Sequence, residues 1–261
     1  MPDHLKALTQ AQIASFVADG FVRIDHAFSG ETAAACREIL WQAAGVDPDR
    51  PETWTRPVIR LGGFYDPPFR AAANTPVLVE AYDQLVGPNR WLPPGGLGTF
   101  PIRFPSSDEP GDTGWHVDAS IAGDDPNDFF STRVNIASRG RALLMLFLFT
   151  ETSDRDAPTR IRMGSHRAFA RHIAGAGDRG VSLRQLLDDG YDWAEGLPEV
   201  LATGAPGTVY LCHPFLIHSA QPHRGTRPRI MAQPPLLPRG ELDLGAADPS
   251  PVERAVIEAL A

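Results

Sequence analysis

The sequence predicts a mainly β protein in which helices flank a jelly-roll double sheet, and three observations lead there. Seven short strand-like segments follow Gly114, turn residues separate them, and two helical patterns precede them while a third closes the chain. Alternating apolar runs bounded by breakers read as strands, and several such runs in succession read as a sandwich or barrel. A length of 261 residues suits one such unit, because all-β barrels of this size fold as a single domain. We therefore expect one domain over 1–261, with N-terminal helices at about 9–45, a jelly-roll core at about 95–235 and a C-terminal helix at about 250–260.

Thr9-Gln-Ala-Gln12 has the form of a capping box, and Ile13, Phe16 and Val17 then recur at helical spacing up to Gly20. Phe21-Val-Arg-Ile-Asp25 alternates like a strand, and Ser29-Gly-Glu opens a second helix carrying Ala33, Cys36, Leu40 and Trp41. Pro51 to Pro110 is rich in Pro and Gly, which predicts long loops; Trp54, Phe64 and Tyr65 there, with Phe129 and Phe130 beyond, suit either a substrate wall or ordinary packing. The predicted strands are Trp115–Ser120, Thr132–Ile136, Ala142–Thr150, Arg160–Met163, Thr208–Cys212, Leu216–Ser219 and Pro228–Gln233. Ser250-Pro-Val-Glu253 is a second capping box with Pro at the first helical position, followed by Val256, Ile257 and Leu260.

Composition removes several classes of function. The formal charge is −8 and Lys6 is the only lysine among 24 basic residues, so no basic tract exists to neutralise a phosphate backbone, and nucleic acid is excluded as a partner. The longest apolar run, Ala142 to Phe149, is too short to span a bilayer, and the chain opens on polar residues, so we expect a cytoplasmic protein with no membrane partner. Cys36 and Cys212 stand in unrelated contexts and read as reduced, buried thiols.

His116-Val-Asp118 places an imidazole and a carboxylate on one face of a strand, about 7 Å apart along it. Far along the chain, Thr208 to Gln221 reads as strand and loop, and Arg227-Pro-Arg229-Ile-Met-Ala as the next strand. A histidine from a facing strand would complete a two-histidine, one-carboxylate set that leaves metal positions open for substrate and oxygen. An arginine on the next strand supplies a planar fork suited to a dicarboxylate.

With these residues in place, the order of elements resembles the phytanoyl-CoA dioxygenase family over most of the chain. Leu8-Thr-Gln-Ala-Gln-Ile with Phe16 and Asp19-Gly-Phe-Val resembles that family's first helix and strand. Gly114-Trp-His116-Val-Asp118 resembles its first metal motif, and Arg162-Met-Gly-Ser-His166 its Pro-Gly-Ser-His turn with Met163 at the proline position. His218, followed by Arg229 eleven residues later, matches the spacing of the family's distal histidine and co-substrate arginine. The chain departs from the pattern at Asp156-Ala-Pro-Thr, where the family has Asn-Gly, and at His223, where it often has asparagine.

The resemblance implies a double-stranded β-helix (cupin-like) core and iron(II) held by His116, Asp118 and His218. It also implies 2-oxoglutarate as co-substrate gripped by Arg229, O2 as oxidant, and hydroxylation of a small-molecule or carrier-tethered metabolite with release of succinate and CO2. Desaturation or cyclisation by a same-fold oxidase would use the same residues. His213, His218 and His223 recur at five-residue spacing; His218 is the distal ligand because the corresponding partner of His213, Arg224, falls inside a turn. His213 then reads as a core or supporting histidine. Arg103, Thr132 and Ser219 are candidates to complete the co-substrate site, and Ser165 is a candidate cap for a helix from His166 to His172. An iron halogenase would need Asp118 replaced by a small residue. A non-catalytic jelly-roll binding protein would be free to lose any member of the set.

Overall fold

The computed structural model describes residues 7–261; Lys6 and the polar opening of the chain lie outside them. Helix α1 (Gln10–Asp19) starts at the predicted capping box, with the Gln12 amide donating to Thr9 Oγ1 at 3.2 Å and the Thr9 amide to Gln12 Oε1 at 2.9 Å. Gly20 ends it at φ 90°, a left-handed conformation that leaves no room for a side chain, since a Cβ there would lie 2.5 Å from His166 Nδ1. Strand β1 (Phe21–Ile24) follows, then α2 (Gly30–Ala44), capped by Ser29.

The Pro- and Gly-rich stretch is not a run of loops. It forms β2 (Val58–Leu61), α3 (Pro67–Ala73), α4 (Pro76–Val86) and β3 (Phe100–Arg103). Pro67 and Pro76 each occupy the first turn of a helix, where the missing amide has no intrahelical partner to lose. Strands β2 and β3 pair antiparallel, with Val58 opposite Arg103.

The remaining elements are β4 (Arg133–Val134), β5 (Leu143–Leu148), β6 (Arg160–Arg162), α5 (Ser165–Ile173), β7 (Val181–Ser182), α6 (Leu183–Asp188), β8 (Glu199–Leu201), β9 (Val209–Cys212), β10 (His218–Ser219), β11 (Met231–Ala232), β12 (Pro235–Leu236) and α7 (Pro251–Leu260). One sheet runs β1-β9-β5-β11 with β12 also on β5, and a second runs β10-β6-β8; β2-β3 and β4-β7 are two-stranded. Every strand pairing is antiparallel.

Strand β5 explains the apolar run that encodes it. Leu143, Met145 and Phe147 point into a core shared with Phe16, Leu40, Phe69 and Tyr82 of the N-terminal helices, whereas Leu144, Leu146 and Leu148 meet Ile161 and Met231 on the other face. A strand buried on both faces shows no alternation, because neither face meets water. The larger sheet is thus a middle layer between helices and the second sheet.

Three expectations are corrected. The protein is mixed rather than mainly β: seven α-helices hold more of the described residues than twelve strands, most of which are four residues or shorter. Trp115–Ser120 is not a strand, because its partner changes along its length, with His116 bridging His218 and Ile121 bridging Arg133. Ser165 is the first residue of α5 instead of its cap, and its hydroxyl accepts the Ile217 amide at 2.9 Å. No helix among the described residues is long and apolar enough to cross a membrane. Cys36 and Cys212 are buried and unpaired.

Candidate active site

His116 and His218 oppose each other as an isolated antiparallel bridge, exchanging two backbone hydrogen bonds of 3.0 Å. Directly opposed residues project to the same face, which brings the two ring centroids to 4.3 Å. Asp118, two residues on, returns to that face, and its Oδ1 lies 3.9 Å from His218 Nε2. One ligand-type atom from each of His116, Asp118 and His218 lies within 4.8 Å of the other two.

The backbone also fixes the tautomers. His116 Nδ1 lies 3.0 Å from the Gly114 carbonyl and His218 Nδ1 lies 3.0 Å from the Leu216 carbonyl. A carbonyl only accepts, so each Nδ1 donates to it, and His218 Nε2 is left facing the Asp118 carboxylate. Burial, followed by the His116 imidazole, pushes His218 down to about 4 against the pull of Asp118, so it is neutral at physiological pH. Burial raises the Asp118 carboxyl, but the Arg141 guanidinium and then the two imidazoles outweigh it and hold it below the usual carboxylate range. Arg141 Nη1 stands 3.3 Å from Asp118 Oδ2.

Two cavities meet at this group and share His116, Asp118, Thr99, Phe129 and Gln233. One, of about 520 Å³, is further lined by His218, Arg141, Tyr65 and Leu237. The other, of about 580 Å³, is further lined by Arg60, Arg103, Asp112, Trp115 and Tyr191. Phe64 and Trp54, by contrast, are packing residues: Phe64 packs tilted on Phe69 and edge-on to Phe100, and Trp54 tilted on Phe104.

Arg103 forms a second isolated bridge, with Arg229, by backbone bonds of 2.9 and 2.8 Å. Like charges placed directly opposite in a ladder repel, and both guanidinium groups are buried, Arg103 at 2% and Arg229 at 1% exposure. Arg103 Nη2 donates to Asp112 Oδ2 at 2.7 Å, and Arg60 donates to the same oxygen. Arg103 Nε and both Nε and Nη1 of Arg229 find no hydrogen-bond partner among the described residues. Burial, then the Arg103 charge, lowers Arg229 to about 9 despite Asp112. Arg229 lies behind Arg103 and lines neither cavity wall.

Besides Arg229, two further predicted site residues, Thr132 and Ser219, are not brought into the cavities. Thr132 donates its hydroxyl proton to the Phe129 carbonyl at 2.6 Å, and the single hydroxyl proton of Ser219 is shared between the Thr113 and Ala220 carbonyls, both 2.7 Å away. Neither has a donor left for a carboxylate, and neither lines either cavity. His213 is elsewhere: its Nε2 faces the Val252 carbonyl of α7 at 3.1 Å, and its ring lies 4.9 Å from that of His166. His223 sits 4.0 Å from Asp156, so the two positions where the sequence departs from the family pattern face each other.

No protein-family model and no curated protein matches the chain. Solved structures do. EctD from S. alaskensis is 20% identical at a TM-score of 0.56, covering 92% of this chain and 80% of EctD. HygX from Streptomyces hygroscopicus is 21% identical at 0.54, covering 87% and 85%, and SnoN, a non-heme alpha ketoglutarate dependent epimerase from nogalamycin biosynthesis, is 15% identical at 0.57, covering 86% and 80%. The chain shares their fold. EctD has been crystallised with Fe and with 2-oxoglutarate and 5-hydroxyectoine, and HygX with nickel, 2-oxoglutarate and hygromycin B.

Sequence reasoning missed Arg141, Arg60 and Asp112. A charged residue immediately before the apolar run of β5 was the visible signal for Arg141, since an inward register there buries a guanidinium beside the Asp118 carboxylate. For Arg60 and Asp112 no signal exists in the sequence: they meet only because β2 and β3 pair and the following turn folds back on them.

Proposed function

We infer that this protein is a non-haem iron(II)- and 2-oxoglutarate-dependent oxygenase of double-stranded β-helix fold, allied to the phytanoyl-CoA dioxygenases and hydroxylating a small-molecule metabolite. The observation that carries this reading is the joint placement of a two-histidine, one-carboxylate group and a buried arginine pair on neighbouring bridges of one scaffold.

The donor set fits the metal. Two imidazoles whose Nδ1 atoms are engaged by backbone carbonyls, leaving each Nε2 unbonded, and one ionised carboxylate leave room for exchangeable ligands. His116, Asp118 and His218 would hold iron(II), which with 2-oxoglutarate and O2 supplies the oxidative chemistry when bound. The arginine pair fits the co-substrate. Arg60, Arg103 and Arg229 outnumber Asp112, the buried atoms of Arg229 lack partners, and a dicarboxylate would satisfy both deficits through charge-assisted bonds. Arg229 and Arg103 would orient its far carboxylate, while the backbone carbonyls behind His116 and His218 keep the imidazoles aimed. Trp115 and Tyr191 narrow the co-substrate cavity and limit water.

The test is substrate-free turnover: with added iron(II), the purified protein converts 2-oxoglutarate to succinate in an O2-dependent manner, and Asp118→Ala does not. Absence of succinate together with absence of metal binding would leave the shared fold and remove the activity.

A further inference from the structure

The cavity on the far side of the triad from Arg103 has a cation of its own. Arg141 is 13% exposed at its side chain, lines that cavity, and is 3.3 Å from Asp118. Its Nε and Nη1 make no hydrogen bond within the described residues, so the contact with Asp118 is one of charge alone and leaves two buried donors unsatisfied. Unsatisfied buried donors of a charged group are expensive unless a ligand arrives to complete them.

The charge distribution points the same way. The chain carries −8 overall, yet across both cavities the lining acids are Asp112 and Asp118, set against Arg60, Arg103 and Arg141, with Arg229 behind them. A dicarboxylate on Arg103 and Arg229 would balance this excess. A divalent metal at the triad would restore it, and Arg141 is the cation left facing the empty half of the site.

The walls supply the rest of the chemistry. Six of the seven exposed large hydrophobic residues line these two cavities, Leu260 being the exception, so the apolar surface is concentrated where a ligand would enter. Tyr65 and Phe129, each 69% exposed, stand with Leu92 and Leu237 around the Arg141 cavity. Scattered exposed hydrophobes need no explanation, but a ring of them around a polar floor does.

We propose that the primary substrate is an amphipathic small molecule whose apolar body lies against Tyr65, Leu92, Phe129 and Leu237 and whose carboxylate-type oxyanion docks on Arg141. Arg141 is then a specificity-determining residue that fixes which carbon of the substrate faces the metal side of the cavity. The proposal rests on the oxygenase reading for the word substrate, but the binding it asserts does not.

The experiment is calorimetric titration with a matched pair, 4-phenylbutanoate and 4-phenylbutanamide, which share an apolar body and differ in charge. Manganese(II) as a redox-inert occupant and 2-oxoglutarate are titrated first; failure of either to bind overturns the oxygenase reading, and the pair is then compared on the bare protein. Wild type should bind the acid about tenfold or more tightly than the amide, the usual size of a lost charged hydrogen bond. Arg141→Gln should bind both equally, Arg141→Lys should keep part of the preference, and Arg139→Gln, at an exposed arginine that lines neither cavity, should keep all of it. Equal affinity for acid and amide in wild type, no binding of the acid, a preference that survives in Arg141→Gln, or one lost in Arg139→Gln overturns the proposal.

Discussion

Arg229→Met separates a co-substrate arginine from a structural one, because the two roles predict stability changes of opposite sign. The guanidinium is 1% exposed, faces Arg103 across a backbone bridge, and has two nitrogens without partners. Its pKa falls well below the ordinary guanidinium value, to about 9, chiefly through burial. At about 1.4 kcal/mol per tenfold change in proton affinity, that depression corresponds to several kcal/mol of uncompensated charge. Replacement of a poorly compensated buried charge by an apolar side chain of similar length stabilises by about 1–4 kcal/mol. Taking about 2 kcal/mol as the working value, the ligand-free variant should melt roughly 4–8 °C above wild type. Wild type should recover the difference when ligand is added, since 2-oxoglutarate at about 100 times its Kd contributes about 2.7 kcal/mol. The variant should show no such response. Differential scanning calorimetry of both proteins, loaded with manganese(II), with and without 2-oxoglutarate, reads all four states. A ligand-free variant that melts below wild type, together with a wild type indifferent to 2-oxoglutarate, would refute the reasoning and make Arg229 a structural cation held by Asp112.

Other consequences follow from the same geometry. Replacing His116, Asp118 or His218 by Ala should abolish metal binding measured by equilibrium dialysis, whereas His213→Ala should retain it while lowering the melting temperature, because that ring packs against α7. Burial holds His166 and His223 down at about 4, below the ordinary 6.5, so the native state refuses protons that the unfolded chain accepts. Stability is then full above about pH 6.5 and falls as pH drops toward 4, by up to about 1.4 kcal/mol per pH unit for each histidine, as urea midpoints at pH 8, 6 and 5 would show. Glu253 is fully buried, accepts from Arg90, Ser250 and Asp243, and has its pKa lowered to about 2 because these bonds outweigh the opposing effect of burial. Glu253→Ala should destabilise by about 1–3 kcal/mol in denaturant titration, since it leaves the Ser250 and Asp243 amides without their acceptor while half-exposed Arg90 turns to water.

What could be read from the sequence was whatever chemistry is local. The caps at Thr9, Ser29 and Ser250 were legible because a helix start is decided within four residues. The β5 strand was legible because burial on both faces leaves an unbroken apolar run. The histidine and aspartate set was legible through resemblance, and its meeting in space follows from one backbone bridge. Thr132 and Ser219 misled because a hydroxyl near a strand end looks the same whether it faces a ligand or a neighbouring carbonyl. The stretch from Pro51 to Pro110 misled because proline signals a helix start and a loop with the same letter. Arg141 left a local signal, a charge directly before an apolar run, but its place beside Asp118 with Nε and Nη1 unpaired emerges only when the chain folds.

The isolated bridge between His116 and His218 has a further implication. It holds His116 and His218 together with two backbone hydrogen bonds that depend on no side chain, while the cavity walls come from separate excursions carrying Tyr65, Leu92 and Phe129. Mutations that reshape those excursions leave the bridge intact, and loops of this kind accept insertion and substitution more readily than ladders do. Selection can therefore retune what enters the pocket without rebuilding the histidine pair at its floor. By the same logic, directed evolution toward new substrates should concentrate on residues 62–65, 92–98 and 127–131 and spare both ends of the bridge.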